Sequence, residues 1–317
     1  MRGHRLNEFH LRPLTLDDAE AVASLVAARN RTDFGETEHF DFNAQELREW
    51  WRLDEAKLES DGLVAVSDGE VVGYARGNQE RDLANLADES CVHPDRRGHG
   101  IGSALLDGAE VWARKRGLRR FHVHVVNDDG RRLAEDRGHR LVRYFWRMEI
   151  ELGEAPPEPD APAGYELRGY QPGSDDAELH AMHQQAFAEH WEFTSEPAAE
   201  WLRWRNRRGD YDPAFWRLAV TGDEIAGAAL AFGDRNFGWI LDLAVLPQHR
   251  KHGLGVALLQ SAFRALVERG NTRIGLEVDS ENETGATRLY ERAGMHVTRR
   301  YATYEKRLSE ERSGPTG

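Results

Sequence analysis

Apolar positions along the chain fall into two rhythms, and the same succession of them is written twice. Short, branched runs such as Leu63-Val64-Ala65-Val66 and Val71-Val72-Gly73-Tyr74-Ala75 predict strands, and Ser67-Asp68-Gly69-Glu70 between them predicts a hairpin turn. Their counterparts are Arg217-Leu218-Ala219-Val220, Thr221-Gly222-Asp223-Glu224 and Ile225-Ala226-Gly227-Ala228-Ala229-Leu230. Before each hairpin stand an opening strand (Leu11-Arg12; Leu167-Arg168) and a helix entered by acidic residues (Asp17-Asp18-Ala19-Glu20; Asp175-Asp176-Ala177-Glu178). Acids in a first turn face the positive end of the helix dipole. After each hairpin comes a helix with apolar residues three and four apart, seen in Leu258, Leu259, Ala262, Phe263, Leu266 and Val267. Gly270 ends it, as Gly117 ends its counterpart. A fifth strand (120–125; 273–278) and a short helix (132–138; 288–294) complete each half.

The repeat is sharpest where a strand turns into that helix. The first copy reads Pro94-Asp95-Arg96-Arg97-Gly98-His99-Gly100-Ile101-Gly102-Ser103-Ala104-Leu105-Leu106, and the second Pro247-Gln248-His249-Arg250-Lys251-His252-Gly253-Leu254-Gly255-Val256-Ala257-Leu258-Leu259. Adding 153 to Pro94, Arg97, His99, Gly100, Gly102, Ala104, Leu105 or Leu106 lands on the same residue type. A strand, an Arg-x-x-Gly-x-Gly turn and a helix N-terminus make a pocket for a pyrophosphate: glycines let backbone approach closely, and the first helical turn offers unpaired N–H groups. Two such pockets imply a duplicated domain. Between the halves, 153–164 holds four of the chain's 11 prolines and predicts an extended connector. The expected division is therefore 1–152, a linker at 153–164, 165–310, and a tail at 311–317.

Composition narrows the class. With 317 residues there is room for two cores, and 40% hydrophobic with 31% charged residues describes a globular protein. A net charge of −13 speaks against a nucleic-acid partner and mildly favours an amine-bearing substrate. No apolar run has transmembrane length and no secretory segment opens the sequence, so no membrane partner is expected. The single cysteine, Cys91, excludes an internal disulfide and points to the cytoplasm.

With the two motifs in order after their strands, and with Asn282-Glu283-Thr284-Gly285-Ala286-Thr287-Arg288-Leu289-Tyr290-Glu291-Arg292-Ala293-Gly294-Met295 downstream, the chain resembles the GNAT acetyltransferase superfamily over nearly its whole length. It is similar in particular to the tandem actinobacterial type that includes mycothiol synthases. That resemblance implies an α+β fold of two tandem GNAT-like domains, each a mixed central β-sheet flanked by helices. It implies acetyl-CoA as co-substrate, with no metal, and direct transfer to a primary amine of a small molecule. The pyrophosphate would rest on Arg250, Lys251, His252, Gly253, Leu254, Gly255 and Val256. The pantetheine arm would run along Leu243 and Val245, where a backbone N–H polarises the thioester carbonyl, and Asn282 would bind the arm. Tyr290 occupies the family's position for protonating the departing thiolate. The first half keeps Val92, Arg97, Gly98, His99, Gly100, Gly102 and Asn127, but alignment of Leu133 with Leu289 puts Ala134 opposite Tyr290. Alanine cannot donate a proton, so the second half is the expected catalytic one.

Other readings stand beside these. Asp242, the one carboxylate in an apolar strand, is a candidate general base or a paired structural acid, and Glu277 is its rival. His190, Trp191 and Glu192 follow the first helix of the second half, where the family places acceptor-binding loops; they could grip an amine, or Trp191 could end a helix in the core. Tyr290 could itself be a core aromatic. His122 and His124 alternate on one strand, yet no ligand spacing completes a metal site. The chain could also be a non-catalytic CoA or acyl-CoA sensor, and mycothiol synthesis proper is the narrowest version of the enzyme reading.

Overall fold

The computed structural model describes residues 9–35, 43–52, 55–80, 82–87, 89–206, 211–234, 237–281 and 285–308. In the first half, strands and helices run β1 (His10–Pro13), α1 (Ala19–Phe34), α2 (Ala44–Arg52), α3 (Glu55–Asp61), β2 (Gly62–Ser67), β3 (Glu70–Glu80), β4 (Leu83–Leu86), β5 (Cys91–Val92), α4 (Ile101–Lys115), β6 (Arg120–Val125), α5 (Asp128–Asp136) and β7 (Arg140–Glu151). The second half follows with β8 (Glu166–Gly169), α6 (Asp176–Phe187), α7 (Ala198–Asn206), β9 (Arg217–Thr221), β10 (Glu224–Asp234), β11 (Phe237–Val245), α8 (Leu254–Val267), β12 (Arg273–Asp279), α9 (Ala286–Arg292) and β13 (His296–Arg307). Every element expected from the repeat is present in both halves, and α2, α3, α7 and the last strands β7 and β13 are additions to it. The β2–β3 turn is the two-residue type forecast, with Asp68 and Gly69 both at positive φ (53° and 83°). Among the described residues no helix is long and apolar enough to cross a membrane.

Packing divides the chain differently from the repeat. One compact unit comprises residues up to Arg143 together with those from Tyr301 onward; the other is Tyr144–Arg300. The cause is an exchange of last strands. In the second unit β12 pairs antiparallel with Tyr144–Glu151 of β7, in register from Phe145↔Asp279 to Glu151↔Arg273. In the first, β6 pairs antiparallel with Ala302–Arg307 of β13. The proline-rich 153–164 carries no helix or strand, in keeping with an extended connector. It separates the sequence repeats, whereas strand partnership separates the packed units, nine residues earlier.

In the second unit the sheet runs β8, β9, β10, β11, β12 and the β7 segment, with only β11 and β12 parallel. α8 packs on β10 and β11 through Leu254, Leu258, Leu259, Ala262 and Leu266, all at most 1% exposed. Met148 from the exchanged strand joins this core, fully buried. The first unit repeats the arrangement with β4 and β6 as the parallel pair.

Each repeat is pinned at its start by one ion pair to a buried carboxylate. Arg12 grips Asp18 through both guanidinium nitrogens (2.8 and 2.6 Å), and Arg168 grips Asp175 likewise (2.7 and 2.8 Å). The carboxylates also accept from backbone N–H groups of Thr15 and Gln171. The Arg168 hydrogen bonds hold Asp175 below the usual carboxylate range; at Asp18 burial opposes the shift, but Arg12 and Thr15 outweigh it. A depressed folded pKa stabilises above the unfolded value, near 4, and that gain is lost as pH falls through the folded pKa. Asp18→Asn and Asp175→Asn should each lower the thermal midpoint at pH 7, and the deficit should shrink toward zero as melts are repeated down to about pH 2.

Candidate active site

β11 and β12 are hydrogen-bonded over only three residue pairs, Phe237↔Arg273, Gly238↔Ile274 and Trp239↔Gly275. Beyond them the strands part. Pairing of β11 with β10 steps from Leu230↔Asp242 to Ala231↔Ile240, so Leu241 is an extra, bulged residue. A bulge bends its strand and re-aims the side chains after it. The gap opens a cavity of about 760 Å³ lined by both strands, the loops after α6 and β11, and the faces of α8 and α9 turned toward it.

One end of the cavity is the glycine cradle. The chain leaves β11 through Pro247–His249, passes Arg250 in extended conformation, turns with Lys251 (φ 68°) and Gly253 (φ 86°) left-handed, and enters α8 at Leu254. Lys251 bears a Cβ in a region that L-residues enter at a cost of about 1–2 kcal/mol, a strain characteristic of functional turns. Gly98, at the same place in the first unit, bears none (φ 75°). Gly255 matters for another reason: a Cβ there would lie 2.6 Å from Cδ1 of Leu289 and would oblige that side chain to move. Its bareness lets α9 close against α8, and α9 carries Tyr290.

Of the cradle residues expected to meet a pyrophosphate, Arg250, Lys251, Gly253, Leu254, Gly255 and Val256 line the cavity, together with Leu243 and Val245. His252 does not; it turns toward Tyr165, ring centres 6.2 Å apart. The Arg250 guanidinium braces the loop, donating to the carbonyls of Val245 (3.2 Å) and Ala186 (3.3 Å). Asn282 lies outside the described residues. In the first unit a cavity of about 550 Å³ is lined by Val92, Arg97, Gly98, Gly100, Gly102 and Asn127, without His99. There Arg97 is clasped by the buried Asp33 (2.8 Å twice), to which Asn127 also donates (3.0 Å). Ala134 lines that cavity, and Cys91 lines it with a thiol pushed up to about 11 by burial, a protonated group rather than a nucleophile.

Further along the second cavity are Tyr290, Asp242, Glu277, Asp279, His190, Trp191, Phe187 and Phe145; Glu192 is not among its lining residues. Tyr290 is 7% exposed, and burial, helped by the Asp242 charge, holds its hydroxyl protonated far above neutral pH. Asp242 is engaged through its Oδ2. It accepts from Arg205 Nη2 (2.8 Å) and stands 3.2 Å from His183 Nε2. Trp201 Nε1 donates to His183 Nδ1 (3.2 Å), which leaves the imidazole proton on Nε2, aimed at Asp242. Burial would raise the Asp242 pKa, but the His183 hydrogen bond and Arg205 charge overcome it and keep the carboxylate ionised. Of the two readings of Asp242, this geometry favours the paired structural acid.

Sequence reasoning missed Arg205, His183 and Phe145. Arg205 and His183 sit on separate helices, 37 and 59 positions before Asp242, and only folding makes them neighbours. Phe145 reaches the cavity on the exchanged strand, where Trp191 packs on it with ring centres 6.0 Å apart. The Trp-Leu-Arg-Trp-Arg run at 201–205 was the available signal: a cation on an apolar helix needs a buried anion.

The sequence profile of the Acetyltransferase (GNAT) family matches residues 24–139 and again 177–295. The chain belongs to the GNAT family. It is an acyltransferase of that family with two tandem copies of the fold, as its motifs led one to expect. It is 34% identical to a mycothiol acetyltransferase of Salinispora arenicola (strain CNS-205) over 77% of this chain and 80% of that protein. With a mycothiol acetyltransferase of Streptomyces coelicolor it shares 32% identity over 90% of each. Among solved structures, a GCN5-related N-acetyltransferase from Sphaerobacter thermophilus superposes with a TM-score of 0.83 at 32% identity, covering 94% of this chain and 95% of the other. A tandem GNAT protein from the clavulanic acid biosynthesis pathway shares the fold, with a TM-score of 0.74 at 19% identity over 98% and 100%.

Removing Arg205 would strand a buried carboxylate beside Tyr290, a loss of about 3–5 kcal/mol for such pairs. Arg205→Leu should unfold at markedly lower denaturant, and Arg205→Leu combined with Asp242→Leu should regain much of the difference, both read from chemical denaturation midpoints.

Proposed function

We propose that the second unit transfers the acetyl group of acetyl-CoA directly to a primary amine of a small molecule. The observation that carries this reading is the parting of β11 and β12 over a buried phenol, with a helix N-terminus and left-handed glycine at the cavity's far end. GNAT enzymes use acetyl-CoA as co-substrate, and the residues suit it. The cradle at 251–256 combines backbone N–H groups with the positive end of a 14-residue helix, the chemistry that receives a pyrophosphate. Strand positions 240–245, lacking a partner on the side of β12, can offer their backbone groups to the amides of a pantetheine arm. A backbone N–H near Val245 would polarise the thioester carbonyl.

Tyr290 is the proposed general acid. Its hydroxyl keeps its proton until a thiolate, charged and close, takes it. The first unit has the apolar Ala134 at this place, which supports assigning the chemistry to the second. The acceptor end brings carboxylates (Glu277, Asp279) together with aromatic rings (Phe145, Phe187, Trp191), a lining suited to an amine-bearing molecule of mixed polarity. The similarity to mycothiol acetyltransferases makes a mycothiol-type acceptor the first to try, and the single Cys91 suits a role in the cytoplasm.

The test is thiol release from acetyl-CoA with a panel of aminosugars, polyamines, amino acids and peptides. Tyr290→Phe should lower kcat by about 10²-fold or more while calorimetry shows acetyl-CoA affinity nearly unchanged. Equal turnover by both proteins would remove Tyr290 from the mechanism, and no turnover with any amine would favour a CoA-binding sensor.

A further inference from the structure

An amine attacks only as the free base, so an acceptor that arrives as ammonium must first lose a proton. The carboxylate with first claim to that proton, Asp242, is committed to Arg205 and His183, and the proton on His183 Nε2 faces Asp242, so neither nitrogen of that ring is open. We propose that His190, resting on the assignment of the second unit as the acetylating one, is the general base that takes this proton.

His190 sits three residues beyond the end of α6, in a short turn closed by its own N–H to the Phe187 carbonyl (2.8 Å). Its ring packs at a tilt on Phe187, centres 4.4 Å apart and planes at 48°, and lines the same cavity as Tyr290. The charges and titratable groups that act on it are Arg250 of the cradle, Asp279 of β12, Asp242 of β11 and His183 of α6. It shares one cavity with the cradle and the parted strands, the space in which thioester and amine would meet. Burial first, then the Arg250 charge, depress its pKa below the usual histidine value, against the pull of Asp279 and Asp242. At neutral pH it is unprotonated and able to accept. The rival Glu277 lines the same cavity but is exposed, whereas His190 is half-buried.

The proton balance closes. An imidazole nitrogen of His190 takes one proton from the ammonium and later releases it to solvent. The freed lone pair forms the C–N bond at the thioester carbonyl, and collapse of the adduct breaks the C–S bond. Tyr290 gives its proton to the departing thiolate, and the phenol is restored by the second proton leaving the new amide nitrogen. The products are the acetamide, the free thiol and one proton.

The experiment measures thiol release by the full chain with D-glucosamine, spermidine and L-lysine, taking the fastest. His190→Gln should lose about 10²-fold or more in kcat, with acetyl-CoA affinity by calorimetry and thermal midpoint unchanged, and added imidazole should restore part of the loss. In the unaltered chain kcat/KM should reach the limb governed by this base with a midpoint below 6.5, and in His190→Gln that limb should disappear. Independently of any acceptor, the His190 imidazole followed by NMR should titrate below 6.5. An unaffected rate in His190→Gln, a loss carried by Glu277→Gln alone, or an NMR midpoint at or above 6.5 would overturn the proposal. No thiol release by the unaltered chain would instead overturn the acetylating assignment on which it rests.

Discussion

Three backbone pairs hold β11 to β12, and the site follows from what makes the pairing stop there. On the closed side Phe237 and Trp239 lie over Gly275, where a Cβ would come within 2.8 and 3.0 Å of their rings. Arg147 of the exchanged strand caps both rings at 5.5 and 5.3 Å, and is itself held by Glu149 at 2.7 Å. Any side chain at 275 would push the aromatic pair off the strand. On the open side the Leu241 bulge turns β11 away before a fourth pair can form. Unpaired strand edges are ordinarily a liability. Here they border an enclosed cleft, where their N–H and C=O groups are available to an extended, amide-bearing ligand.

Tyr290 depends on two further constraints, which pull against each other. Its proton is retained because it is buried and because Asp242 is negative. A bare buried carboxylate would be costly, so Asp242 stays charged only through Arg205 and His183. Arg205 in turn stacks on Trp201, 4.1 Å from the ring centre, and Trp201 supplies the indole proton that fixes the His183 tautomer. A single tryptophan thus orients both partners of the anion that keeps the phenol protonated. The bareness of Gly255 completes the placement from the other side by admitting Leu289.

Much of this was legible in the sequence because it was written twice. The offset of 153 fixed the strand–turn–helix units, and the Tyr290/Ala134 contrast separated the halves without a structure. The strand exchange was not legible. Residues 144–151 alternate as any core strand does, and a pattern of period two specifies a face but not a partner. The ionic network escaped for a related reason: His183, Arg205 and Asp242 belong to three elements, and charge neutrality in a core is a property of the fold. Glu192, grouped with His190 and Trp191 by its place in the sequence, does not line the cavity with them. The backbone turns there, with Glu192 at a φ of 57°, and successive side chains diverge.

The two cradles show which parts of such a site tolerate change. Both units keep the left-handed glycine that starts the helix, Gly100 at 82° and Gly253 at 86°, since the turn cannot be made otherwise without strain. The arginine is kept as well, but it is satisfied differently: Arg97 by a buried carboxylate shared with Asn127, Arg250 by two carbonyls and a mostly exposed Glu189 at 3.5 Å. An arginine that braces a loop needs acceptors, not particular ones. The phenol has no such latitude. With Ala134 at that place the first unit keeps its fold and cavity but has no phenol there. Duplication therefore separates the constraint of folding the cradle, met in both units, from that of placing a phenol at its far end, met at Tyr290 and not at Ala134.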